Sequence, residues 1–68
     1  MKIIVNGAEK ILEPEPSNLA QLIEDLGYHP RLIVVEFNGV IVTPSLWRKQ
    51  AVGDGDILEI VTIVGGGS

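Results

Sequence analysis

Apolar and polar residues alternate along most of this chain, and in one place only does the alternation give way to helical spacing. Residues 2–6 and 8–13 read as two short strands around Asn6-Gly7, a pair in which both residues tolerate positive φ and so predict a hairpin. Two registers fit this hairpin. A two-residue turn sets Lys10 opposite Ile3, whereas a three-residue loop with Gly7 in a bulge sets Ile11 there. The second keeps the lysine off the core face and is the register the pattern favours. Pro14 and Pro16 then stop both strand and helix and make a stiff connector.

Leu19, Leu22, Ile23 and Leu26 recur at helical spacing and form one apolar stripe, with Gln21, Glu24 and Asp25 away from it. Asn18, three residues before Gln21, predicts the N-cap, and Gly27 predicts a left-handed C-terminal stop. Alternation resumes over residues 32–38. Glu36 marks an outward position there, which assigns Ile33, Val35 and Phe37 to the core. Asn38-Gly39 predicts a second hairpin returning through Val40, Ile41 and Val42. Thr43 and Pro44 read as the cap and first position of a short helical turn over residues 45–49. Gly53-Asp54-Gly55-Asp56 is a tight turn that launches a β-branched run over residues 56–64, and three glycines and Ser68 follow it.

One helix laid across a mixed sheet of four to five strands is the two-layer solution for this order of elements. The fold expected is α+β, the β-grasp or ubiquitin-like arrangement. The final strand is expected in the middle of the sheet beside the first, where a buried inner face accounts for its Val and Ile content. Residues 1–64 form the expected domain and residues 65–68 a flexible glycine-rich tail.

Composition narrows the function. The 68 residues contain no cysteine, so neither disulfides nor thiolate metal ligands contribute, and the protein cannot carry sulfur as its own persulfide. The net charge is −4, and Lys2, Lys10, Arg31, Arg48 and Lys49 form no basic stripe. Acidity disfavours nucleic acid and favours a basic protein partner. The apolar runs are too short to cross a membrane, so cytoplasm is the expected location. The single histidine, His29, lies in a loop without a second histidine, and reads as a solvated residue. Glu13 and Glu15 read as a solvated acidic turn, and Asp54 and Asp56 as turn residues that lack the spacing of a calcium loop. Trp47 reads as a partly buried plug on the sheet edge. Ile57, Val61 and Ile63 share the outward parity of Glu59 and make, with Gly65, an apolar patch of the kind a docking surface presents.

Val5-Asn6-Gly7, Asn38-Gly39 with Pro44-Ser45-Leu46-Trp47, and Gly53-Asp54-Gly55-Asp56-Ile57-Leu58-Glu59-Ile60-Val61 with Val64-Gly65-Gly66-Gly67 resemble the ThiS family. These are the ubiquitin-like sulfur carriers of thiamine (thiazole) biosynthesis, and the resemblance covers essentially the whole chain. It implies a carrier that is not itself an enzyme and binds no cofactor. An adenylating, ThiF-like enzyme would use ATP to activate the terminal glycine carboxylate. Sulfur derived from a cysteine desulfurase would replace AMP, and a ThiG-like thiazole synthase would take it from the resulting thiocarboxylate. Carried onto this sequence, Gly66 and Gly67 match the terminal Gly-Gly, with Gly67 bearing the sulfur. The family's carriers generally end at glycine and this chain ends at Ser68. The serine is therefore trimmed before activation, is an added remnant, or marks an inactive copy. The free protein is expected to be a monomer. Two other readings share the fold: the molybdopterin-synthase type of sulfur carrier, and a ubiquitin-like binding module whose glycines are only a tail. A third, a β-grasp nucleic-acid binder, is opposed by the charge.

Overall fold

The computed structural model describes residues 1–63, so the expected strand end at Val64 and the tail over residues 65–68 lie outside the described residues. The elements are β1 (Lys2–Val5), β2 (Ala8–Ile11), α1 (Leu19–Asp25), β3 (Ile33–Phe37), β4 (Val40–Ile41) and β5 (Ile57–Thr62), with 3-10 turns over Pro30–Leu32 and Pro44–Lys49. The strand order is β2-β1-β5-β3-β4. β5 is central, parallel to β1 and antiparallel to β3. A mixed five-stranded sheet on one helix is the expected β-grasp arrangement.

Alternation decides which face is inside. Ile3, Val5, Ile33, Val35, Phe37, Leu58 and Ile60 are buried and join Leu19, Leu22 and Ile23 of α1 in one core. Each fully buried aliphatic side chain here contributes about 1.5–3 kcal/mol relative to exposure. The helix begins where expected, with the Asn18 Oδ1 accepting the Gln21 N–H at 2.8 Å. It ends at Gly27, which sits at φ 84°. Leu26 closes the stripe half-buried.

Two expectations are corrected. The first hairpin has the two-residue turn: Ile3 faces Lys10 and Val5 faces Ala8, so Ile11 does not oppose Ile3. Asn6 at φ 51° and Gly7 at φ 83° both occupy the left-handed region, and such a turn matches the strand twist without a bulge. The lysine on the core-face register is tolerated because β2 is an edge strand whose residues are all exposed. Trp47, expected as a partly buried plug on the sheet edge, is instead 3% exposed and belongs to the core. The 3-10 turn over Pro44–Lys49 carries it inward, and its Nε1–H donates to the Val42 carbonyl at 2.8 Å.

The turns also fasten β5. The second hairpin turns at Asn38 (φ 50°) and Gly39 (φ 87°). Its Asn38 Oδ1 accepts the Ile57 N–H at 2.8 Å, and its Nδ2 donates to the Asp56 Oδ1 at 3.1 Å. On the other flank Asn6 acts as though it were one more residue of β1. Its Oδ1 accepts the Ile60 N–H at 2.7 Å and its Nδ2 donates to the Ile60 carbonyl at 3.1 Å.

A pair of substitutions separates the two roles of Asn6. Asn6→Gly should lose only these bonds, about 1 kcal/mol, while Asn6→Ala should add left-handed strain and lose about 2 kcal/mol in total. Urea unfolding checks this, and equal losses for the two variants would sink the turn argument.

Candidate functional site

The described residues offer no enzyme-like centre. The His29 Nδ1 accepts the Arg31 N–H at 3.3 Å and so caps the 3-10 turn over Pro30–Leu32. Asp54 and Asp56 are used by the backbone rather than by a cation. The Asp54 Oδ1 accepts the Lys2 N–H and the Asp56 Oδ2 accepts the Gly53 N–H, both at 2.7 Å. The Gly55 N–H returns to the Lys2 carbonyl at 2.8 Å, so this turn ties the start of β5 to β1. Among the described residues no three histidine, cysteine or carboxylate side chains gather closely enough to hold a metal ion. A shallow groove lies between the Pro14–Pro16 connector and α1, lined in part by Glu13, Glu15 and Asp25. It contains no nucleophile paired with a base. No helix among the described residues is long and apolar enough to cross a membrane.

What the fold does build is a face. β5 alternates cleanly, with Leu58 and Ile60 buried beneath the helix and Ile57, Glu59 and Val61 exposed on the other side. Ile57 is 49% exposed, Val61 62% and Ile63 48%, so the expected apolar patch is present at the described positions. Gly65, Gly66 and Gly67, the remaining expected site residues, lie outside the described residues. The patch is wider than the last strand alone. Across the sheet Val61 is level with Val34, Ile57 with Ile4, and Glu36 with Ile41. Ile63 is held at the edge of the patch by its N–H, which donates to the Leu32 carbonyl at 2.6 Å. The strand that leads toward the glycines is thus bonded on one flank to β3 and on the other to β1 and Asn6. Its direction is fixed up to Ile63.

Sequence reading found the β5 half of this face and missed the β3 and β4 half. Val34 and Ile41 have the right parity in the sequence, but parity alone does not say which strands are neighbours.

Known proteins resemble this chain along nearly its whole length. It is 41% identical over 68 residues to a thiazole synthase of Paramagnetospirillum magneticum, and spans 21% of that protein's length. It is 34% identical over 67 residues to a Porphyra purpurea protein named uncharacterized protein ycf40, covering 98% of this chain and 93% of that one. The crystal structure of the thiamine biosynthesis protein ThiS from Geobacter metallireducens superposes with a TM-score of 0.82 at 28% identity, over 98% of this chain and 100% of that one. The sequence profile of the ThiS family matches residues 2–67. From its final glycines back to its first strand, the chain belongs to the ThiS family.

Proposed function

We propose that this protein is the sulfur carrier of a thiamine pathway, acting as a protein co-substrate. The observation that carries this reading is the extent of the family match, which begins at β1 and runs through Gly67. The comparison with the Geobacter metallireducens thiamine biosynthesis protein supports the same pathway. With Ser68 removed, the Gly67 carboxylate attacks the α-phosphorus of ATP on an adenylating enzyme and expels pyrophosphate. The acyl adenylate is then open to a persulfide sulfur, which displaces AMP at the carbonyl carbon. The acyl disulfide so formed keeps the persulfide's own S–S bond; a thiol attacks the donor's sulfur, leaves as a disulfide with it, and releases the glycyl thiocarboxylate. A thiazole synthase takes that sulfur, a partner suggested by the relative of that name.

The chain contributes no acid, base or metal to these steps. Its share is geometric. Glycines offer a side-chain-free segment thin enough to enter a narrow channel. The bonded β5 fixes where that segment starts, and Ile57, Glu59, Val61, Ile63 and Gly65 form the docking surface beside it. Holding the carboxyl at the nucleotide in this way converts a bimolecular encounter into an oriented one.

Intact mass spectrometry tests the reading. Protein recovered from its own cells should lack Ser68. After incubation with the adenylating enzyme, ATP and a sulfur donor, it should gain the mass difference between one sulfur and one oxygen. A chain that retains Ser68 and never changes mass would refute the carrier role.

A further inference from the structure

The register of β3 against β5 sets Glu36 directly opposite Glu59 on the outer face. Like charges facing each other across two strands destabilise a sheet. Two features make this pair stand out. First, neither carboxylate has an ion-pair partner among the described residues, and residues 64–68 contain no lysine or arginine that could serve. The same face does supply a cation elsewhere, since Lys2 Nζ lies 3.7 Å from Glu9 Oε2 between β1 and β2. Second, the pair is flanked by aliphatic residues, while its two polar neighbours, Asn38 and Asn6, have their side chains bonded to Ile57 and Asp56 and to Ile60. Val34 and Val61 form the next rung on one side, Ile41 extends the row past Glu36, and Ile57 follows Glu59 on the other side, with Ile4 beside it. The aliphatic residues on either side and the two bare carboxylates describe a complement: an aliphatic surface with one cation at its centre.

We propose that this face receives a thiazole synthase through an arginine side chain seated between Glu36 and Glu59, with aliphatic residues around it. Arginine fits better than lysine because its planar fork presents donors to two carboxylates at once. The proposal rests on the carrier reading and adds to it what the partner must present. The synthase is the chosen occupant because this chain matches a segment amounting to 21% of a thiazole synthase, so in that relative a sequence of this kind and the remainder share one polypeptide. The seated guanidinium would convert the repulsion between the two glutamates into attraction, and apolar contact around it would exclude water.

The test measures binding of the purified thiazole synthase from the same organism by titration calorimetry at several salt concentrations. Glu36→Gln and Glu59→Gln should each weaken binding about tenfold, the loss expected for one charge-assisted bond. The double variant should also flatten the salt dependence. All three should match or exceed the wild-type urea midpoint, because a like-charge pair has been relieved, so weaker binding will not reflect a failed fold. Val61→Ser should weaken binding while keeping the salt dependence. Wild-type affinity in the double variant, or no measurable binding by the wild type, would overturn the proposal. So would a loss seen only with Val61→Ser, which would leave an apolar face without cation recognition. Sulfur loading of the same variants, read by mass, stands apart. Normal loading with unaltered synthase binding refutes the arginine alone, whereas absent loading in the wild type refutes the carrier reading.

Discussion

Deletion of residues 66–68 is expected to abolish thiocarboxylate formation and to leave the urea midpoint where it is in the wild type. The two halves of this result have separate causes. The last backbone bond that the described fold draws from β5 is the one from the Ile63 N–H to the Leu32 carbonyl, so the deletion starts beyond the hydrogen-bonded sheet. Chemistry is far less tolerant. Moving the terminal carboxyl from Gly67 back to Gly65 shortens an extended chain by about 7 Å. A displacement of only ~1 Å at a reacting group can cost about 100-fold in rate. A variant that ends at Gly67 should, by contrast, load sulfur without any prior trimming. Intact mass after incubation with the adenylating enzyme, ATP and a sulfur donor reads all three proteins. Should the deleted chain still gain sulfur, the chemistry does not depend on the position of Gly67, and the tail-length argument fails.

Trp47→Ala is expected to unfold most of the population at room temperature in mild denaturant. The side chain is almost wholly buried, and a large aromatic removed from a core costs about 3–5 kcal/mol. A domain of this length holds only about 3–10 kcal/mol in total. Two terms add here, because the indole also satisfies the Val42 carbonyl. Trp47→Phe isolates the second. It retains most of the ring volume and loses the N–H, so about 1–3 kcal/mol should go, in proportion to how well water reaches the orphaned carbonyl. Chemical denaturation followed by circular dichroism compares the two. An alanine variant with a midpoint near that of wild type would show that the 3-10 turn over Pro44–Lys49 is not anchored by this residue.

These elements were legible to different degrees, and the reasons are physical. The α1 stripe, the Asn18 cap and the Gly27 stop follow from local spacing, and all three are present. Both Asn-Gly hairpins are local too. The hydrophobicity of Ile11 points to the wrong register in the first, because an exposed edge strand does not enforce a hydrophobic match. The burial of Trp47 is not legible, since nothing local says that a short 3-10 turn folds back over the core. The single-turn helix over Pro30–Leu32 is not legible as a helix, because three residues give no periodicity to detect. On the outer face, the exposure of Ile57, Glu59, Val61 and Ile63 follows from alternation. The partnership of Glu36 with Glu59 was not, although each was marked as outward. Only a register across residues 23 apart in sequence can bring them level, and that register is set by the whole sheet.

The central place of β5 has a kinetic meaning. Both hairpins are local and can close early, yet neither contains the strand that joins them. β1 is bridged to β3 only when residues near the far end of the sequence arrive, so the sheet closes late and nearly all at once. Long-range closure of this kind slows folding relative to a helical protein of equal size. It also means that β5 cannot peel away without opening both of its neighbours, so its amides should exchange with solvent only on global unfolding. The strand that positions the terminus is therefore aligned in a complete molecule or in none. On the proposed reading, a half-folded chain would have no well-aimed strand from which to present its end to an activating enzyme.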